Sequence, residues 1–545
     1  MMIEPRDHYN TVLFNNVHPP DWDNPRPSGP YNLVVVGGGT AGLVSAAIAA
    51  SLGASTALVE RGMMGGDCLN VGCVPSKGVI RGARAAAELT WLHREGLLHG
   101  DTTSGHDDRA GRADRVSFTA VMERMRRIRS EISGHDSPAR FRDEFGVDVY
   151  VGTGAFTGRR SLRVTGDDGD TRELNFSRAV IATGARASAP PISGIDQVPY
   201  LTNETIFSLT DPPGHLVVIG AGPIGCEMAQ SFARLGSEVT LLEMAPRVLP
   251  REDRDASRVL QKRLAVDGVT LRLGVQVTAV ERAARDRDSQ TAPPEPMSLQ
   301  PSGVHPVLVN YREPDGTESS TRGTHLLVAI GRAPNLDGLN LEAAGVTYAR
   351  GGVPVDDHLR TSNRKVYAAG DVAVPPEGTA PMLFTHTAEA TAGIAVQNAL
   401  YLNTSRVSRL VAPWTTYTTP EVAQVGITQE TAESRGLAVD VFQHPMIKVD
   451  RARLDGETEG FVKLITKRGG RKILGATVVG AHAGETIAEV VLAMKHNLGV
   501  DALTSVIHPY PTQSEAVKRA ATGYLKQKLT PRVERLMAAW FRWRR

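Results

Sequence analysis

Two stretches of the chain repeat one order of apolar and polar positions. In the first, the apolar run Leu33-Val34-Val35-Val36 leads into Gly37-Gly38-Gly39-Thr40-Ala41-Gly42 and an alanine-rich segment reaching about Leu52. A second apolar strand then ends on Glu60. In the second stretch, Leu216-Val217-Val218-Ile219 leads into Gly220-Ala221-Gly222-Pro223-Ile224-Gly225, and a later strand ends on Glu243. The last glycine of each loop lies eighteen residues before the acidic residue, Gly42 to Glu60 and Gly225 to Glu243. A lone GxGxxG is weak evidence, but here each one joins a strand to a helix with an acid at the expected distance. Such loops bring a helix N-terminus to a pyrophosphate through Gly37, Gly39 and Gly42, or Gly220, Gly222 and Gly225. Glu60 and Glu243 are placed to accept from a ribose. Duplication implies two dinucleotides, one held and one exchanging.

Elsewhere the pattern is less regular. Residues 1–30 are polar, with Pro19, Pro20, Pro25, Pro27 and Pro30, and read as an extended arm. Ala83–Arg142 reads as a charged, solvated helical excursion broken by a polar loop near Gly100–Asp114. Pro190-Pro191 marks a domain boundary. Residues 285–303 lack periodicity and read as a disordered insertion in a surface loop. From about Ser408 alternating strands (Phe461–Thr466, Ile473–Val479) and a helix over Glu485–His496 follow. The tail, 531–545, is basic and aromatic. It suits a membrane surface, though a helix packed on its own dimer is the preferred reading.

Size and charge narrow the field. At 545 residues the chain needs several domains. A net charge of +2 gives no overall electrostatic case for nucleic acid. No stretch is long and apolar enough to span a bilayer, and Glu4 and Asp7 without an apolar core argue against a secretory signal. The expected location is the cytoplasm.

The chemistry concentrates in Gly65-Gly66-Asp67-Cys68-Leu69-Asn70-Val71-Gly72-Cys73-Val74-Pro75-Ser76-Lys77, which holds two of the three cysteines. No further Cys-x-x-Cys or paired His completes a zinc site, and no metal ligand set is expected. What remains is a dithiol able to close on itself, at a helix N-terminus that favours a thiolate. The third cysteine, Cys226, reads as a packed small residue.

This motif resembles the redox-active segment of the pyridine nucleotide–disulfide oxidoreductases, and the likeness runs in order from about Tyr31 to Thr522. The resemblance implies an α/β fold with two dinucleotide-binding Rossmann-like domains and a C-terminal α+β dimerisation domain. It places FAD on 31–195 and 325–405, and NAD(P) on 196–324. The dimerisation domain would cover 408–530. By the same resemblance Gly154, Thr183, Gly184 and Asp371 line the flavin dinucleotide, Gly331 is a further cofactor-binding residue at the return from the nicotinamide domain, and the helix from about Thr385 points its N-terminus at the flavin. Cys73 would be the thiol against the flavin and Cys68 the exchanging thiol of a Cys68–Cys73 disulfide. Lys77, paired with Glu227, would sit beside the hydride-accepting nitrogen.

Glu243 favours NADH over NADPH, with Arg247 and Arg251 nearby to soften the preference. A homodimer is expected, because in the family the segment around Tyr510 and Glu515 completes the partner subunit's site. Disulfide-reducing members carry His-Pro-Thr-x-x-Glu there. This chain has Tyr510-Pro511-Thr512 and Glu515, with His508 two residues upstream. A phenol titrating near 10 is a poor proton relay at neutral pH. The expected acceptor is therefore a soft metal ion such as Hg(II), although the C-terminal cysteine pair of mercuric reductases is missing. A dihydrolipoamide dehydrogenase-like disulfide reductase and a flavin-based redox sensor are the alternatives.

Overall fold

The computed structural model describes residues 3–97, 116–188, 191–283, 306–379 and 383–545. The loop near Gly100–Asp114, Pro190 of the boundary pair and the 285–303 insertion lie outside the described residues. The chain forms two compact units. One comprises residues 1–220, 228–244 and 268–410; the other comprises 221–227, 245–267 and 411–545.

The first unit is built on two parallel sheets of the same design. In one, strands Asp148–Val151, Thr56–Glu60, Tyr31–Val36 and Thr171–Ile181 lie side by side, with Val366–Ala368 on the far edge of Thr171–Ile181. In the other, the order is Val269–Leu273, Glu238–Glu243, His215–Ile219, His325–Val328. Both strands that precede a glycine loop are apolar without alternation because both faces of a parallel sheet are covered: Leu33, Val34, Val35, Leu216, Val217 and Val218 are fully buried. Strand Thr171–Ile181 serves two sheets, since its first half pairs antiparallel with Ser161–Thr165 while its second half joins the parallel set.

The proline-rich start corrects one expectation. Residues 1–30 are not simply extended: His8–Val17 is a helix, capped by Asp7, whose carboxylate accepts the Asn10 N–H at 2.8 Å. Leu13 and Val17 enter the core of the first unit, so apolar burial overrides the proline-rich context. The charged segment that follows the dithiol is also less solvated than its composition suggests. Helix Phe118–Ser133 buries Phe118, Val121, Met122 and Met125 together with Arg126 and Arg129. Gly78 and Gly82 admit it closely to helix Cys73–Arg94, where added Cβ atoms would lie 3.0 Å from Met125 and 2.5 Å from Val121.

The second unit holds an antiparallel sheet ordered Pro413–Thr416, Glu421–Gly426, Ile473–Gly480, Phe461–Lys467, Val439–Pro445. The expected Glu485–His496 helix is interrupted at Ile487, giving Ala483–Thr486 and Ala488–Lys495. Inside this unit Lys463 is 2 % exposed and reaches the fully buried Asp253 at 2.8 Å and Asp255 at 2.7 Å. Next to that cluster Glu252 accepts the Trp414 indole N–H at 2.7 Å, while its other oxygen is buried without a partner. Burial pushes the Glu252 carboxyl up to about 7, against the pull of the Trp414 hydrogen bond.

A carboxyl raised in the folded state keeps its proton there at pH values where the unfolded chain has lost it. Its contribution is therefore present below about pH 4.5 and is lost as pH rises through 7. Glu252→Gln retains the Trp414 contact and cannot ionise. Thermal unfolding of the two proteins from pH 5 to 8 should show the variant gaining on the wild type, by up to about 3 kcal/mol. A pH-independent difference would contradict this account of Glu252.

Candidate active site

The dithiol loop is shaped by where its backbone must go. Gly65 and Gly66 both take positive φ, +89° and +55°, and lead into a short helix Gly66–Asn70. Their conformation lays the loop on the first glycine-rich loop: the Gly65 N–H donates to Gly38 O at 2.8 Å. A Cβ on Gly66 would come within 2.7 Å of the Gly39 Cα. Two glycine loops in direct backbone contact thus set the dithiol beside the Gly37–Gly42 turn. That turn is equally tight, since a Cβ on Gly37 would meet Ala182 O at 2.4 Å.

Cys68 lies on the short helix and Cys73 opens the long helix Cys73–Arg94. Both are thiols in this structure, Cys68 partly buried and Cys73 exposed. The Cys73 Sγ is 3.2 Å from Thr385 Oγ1, the first residue of helix Thr385–Leu400, so two helix N-termini converge on this sulfur and favour negative charge there. The Cys68 thiol is pushed well up, first by its hydrogen bond with Cys73, then by burial and by the charge of Cys73. The pair is polarised, with Cys73 favoured as the thiolate and Cys68 as its proton-bearing neighbour. Lys77 follows Cys73 by one helical turn, on the same face.

An acid–base cluster surrounds the loop. Arg332 contacts Asp67 through Nη2, donates to the Ala185 carbonyl, and lies 3.5 Å from Asp371. Burial would lower the Arg332 guanidinium, but Asp67 and Asp371 outweigh it and hold it above its ordinary value. Asp371 itself is raised by burial, with Asp67 and Cys73 adding to the effect and Arg332 opposing it. Thr183 Oγ1 donates to Asn335 O at 2.7 Å and Asn335 Nδ2 donates to Thr183 O at 2.9 Å. These bonds clasp the Thr183-Gly184 turn to the segment after Gly331. Glu60 accepts the N–H groups of Gly38 at 2.5 Å and Gly62 at 2.6 Å. Burial nevertheless raises its carboxyl. Gly154 is buried against Val59.

The first unit therefore brings together Cys68, Cys73, Lys77, Gly37, Gly39, Gly42, Glu60, Gly154, Thr183, Gly184, Gly331 and Asp371. Glu243 ends a strand of its second parallel sheet and Gly220 follows another, whereas Gly222, Gly225 and Glu227 belong to the second unit. There the Glu227 carboxylate accepts the Tyr417 N–H at 2.8 Å. His508 is buried against Glu489, 2.8 Å from Nε2 to Oε2. Tyr510 is exposed and donates to Asp450 at 3.1 Å, which raises its phenol. Glu515 pairs with Arg519 at 2.6 Å.

Sequence reasoning gave no role to Asp67, Arg332 or Arg129. Arg129 had a readable signal: Phe118, Met122, Met125 and Arg129 share one helical face, which is apolar apart from the arginine. Its Nη1 donates to Asn70 O at 2.6 Å, inside the dithiol loop, and its Nη2 donates to Asn10 Oδ1 at 2.7 Å, on the N-terminal helix.

The family model for pyridine nucleotide-disulphide oxidoreductases matches residues 31–393, and that for the family's dimerisation domain matches 412–521. The chain belongs to the pyridine nucleotide–disulphide oxidoreductases. It is 34% identical to mercuric reductase of Streptomyces lividans over 503 residues, covering 91% of this chain and 96% of that protein. It is equally 34% identical to dihydrolipoyl dehydrogenase of Trypanosoma brucei brucei over 495 residues, covering 90% and 96%. A solved structure, the Cu(II) complex of the HOCl-induced flavoprotein disulfide reductase RclA from Escherichia coli, superposes with a TM-score of 0.75 at 26% identity. It covers 91% of this chain and 99% of that one. Membership makes the protein an FAD-dependent oxidoreductase that uses NAD(P)H, and its dimerisation domain supports a homodimer. No helix among the described residues is long and apolar enough to cross a membrane.

Arg129→Met should loosen the dithiol loop by leaving the Asn70 carbonyl and Asn10 without their donor, a cost of about 1–3 kcal/mol each. The check is the alkylation rate of Cys68 followed by peptide mass spectrometry. We expect a rise of about tenfold relative to Cys73, and an unchanged ratio would contradict the bracing role.

Proposed function

We propose that the protein passes electrons from NAD(P)H, with NADH preferred through Glu243, by way of FAD and the Cys68/Cys73 pair to a thiophilic acceptor. A soft metal ion such as Hg(II) is the leading candidate. The residues fit the cofactor: the Gly37–Gly42 turn has no room for side chains at Gly37, and the raised carboxyl of Asp371 lies buried beside Arg332. Gly37, Gly39, Gly42, Glu60, Gly154, Thr183, Gly184, Gly331 and Asp371 would hold FAD, which supplies a two-electron relay between nicotinamide and dithiol. Lys77 would serve as the cation beside it.

The protein's own chemistry is carried by the two sulfurs. Two neighbouring thiolates present the soft donor set that a soft cation prefers, and two electrons delivered to bound Hg(II) give Hg(0). The helix N-termini at Cys73 favour the thiolate that starts this binding.

The observation that carries the choice of acceptor is Tyr510 where disulfide-reducing members hold a histidine. An exposed phenol raised by Asp450 is no proton donor tuned to neutral pH. A disulfide substrate needs a proton for its leaving thiolate; a two-coordinate metal ion does not. The mercuric reductase likeness supports this reading, as does the Cu(II) complex of the RclA structure. Two observations favour the disulfide reductase alternative: no cysteine follows Cys226 in this sequence, and the dihydrolipoyl dehydrogenase relative is no less similar. His508 is engaged with Glu489 inside the second unit and does not stand in for the missing histidine in this reading. Glu515, paired with Arg519, would keep its place beside Tyr510 in the partner-facing segment.

Steady-state NADH oxidation with Hg(II), Cu(II), lipoamide and glutathione disulfide separates the readings. We expect turnover with a soft ion and weak turnover with both disulfides. Tyr510→His should raise disulfide reduction, by up to ~100-fold. Lipoamide reduction by the unmodified protein at ~10 per second or more would give the assignment to the disulfide reductase.

A further inference from the structure

The last helix, Pro531–Trp543, starts at an N-cap on Thr530 with Pro531 in its first turn, and none of its residues is buried. Val533, Leu536, Met537, Trp540, Phe541 and Trp543 recur at helical spacing and form one continuous face, with Arg532, Arg535 and Arg542 around it. Leu536 is 70% exposed, Phe541 57% and Trp543 76%. A helix of this length without a tertiary partner is marginal in water, and so large an apolar face marks an interaction site.

Charge identifies the partner. Residues 516–545 carry nine Lys or Arg against the single acid Glu534, a net +8. The whole chain has a net charge of +2, so everything before residue 516 carries −6. The family's dimerisation domain ends at residue 521, ahead of this helix. Two copies packed on each other through it would bring like-charged arginine clusters together. An anionic surface would meet them favourably, while repelling the remainder of the chain. Tryptophan and phenylalanine on the apolar side and arginine on the polar side are the composition of a helix lying in a lipid headgroup layer.

We propose that Pro531–Trp543 is an amphipathic anchor that lays the protein on an anionic lipid bilayer, the apolar face entering the headgroup boundary and the arginines meeting lipid phosphates. The helix lies on the membrane and does not cross it.

The test is co-sedimentation of the FAD-loaded full-length protein with vesicles of phosphatidylcholine alone or mixed equally with phosphatidylglycerol. Three proteins are compared: the full chain, a truncation after Lys528, and the full chain carrying Arg535→Glu and Arg542→Glu. The full chain should sediment with the mixed vesicles, release with added salt, and stay in solution with pure phosphatidylcholine. Charge reversal should lower partitioning ~tenfold or more. The truncated chain should lose binding while keeping NADH oxidation and its mass in light scattering. Equal partitioning of the full and truncated chains would overturn the proposal. So would a truncated chain that falls to half its mass, because the helix would then belong to the second copy.

Discussion

The whole site depends on the backbone contact between two glycine-rich loops. Gly65 N–H meets Gly38 O, and Gly66 stacks on Gly39 with no space for a methyl group. This single contact joins the Gly37–Gly42 turn and the dithiol loop, 26 residues apart from Gly39 to Gly65, into one piece. A side chain at Gly66 would force the loops apart and also demand a strained positive φ. Everything else braces that contact. Arg332 ties Asp67 of the loop to Asp371 from the far end of the unit, and Arg129 ties Asn70 to the N-terminal helix.

Electrostatics then divides the labour between the sulfurs. Cys73 receives the ends of two helices, while Cys68 is half-buried and hydrogen-bonded to it. The arrangement separates a thiolate from a thiol within one loop. The second unit uses buried charge for a different end. Lys463 and Asp253 form a sealed ion pair, with Asp255 at its open side, and the buried pair is far more demanding of exact pairing than a surface bridge. Neither Asp253 nor Lys463 carries a sequence signal of pairing, because the two lie 210 residues apart.

The parallel sheets and the glycine loops were legible because local patterns specify them. The strands ending on Glu60 and Glu243 stand where the apolar runs and loop glycines put them, and the helix opening at Thr385 stands where the family resemblance put it. The long-range bracing was not legible. His8–Val17 sits in a proline-rich context, and only the burial of Leu13 and Val17 against the rest of the unit makes its helix worthwhile. Arg129 stands out as the one charge on an apolar helical face, but what it braces is legible only once its two partners, Asn70 and Asn10, are in place. Tyr510 was legible as a departure from a pattern, but its contact with Asp450 arises from a strand-and-helix arrangement that no local spacing encodes.

The central claim is that Cys68 and Cys73 act as one two-electron store coupled to the flavin. Anaerobic titration of the oxidised, FAD-loaded protein with dithionite, followed by absorbance, measures this most directly. The account predicts uptake of two electron pairs per chain, one in the flavin and one in the disulfide, with a long-wavelength thiolate–flavin band between them that is absent in Cys73→Ser. Uptake of a single pair by the unmodified protein, with no such band, would contradict it.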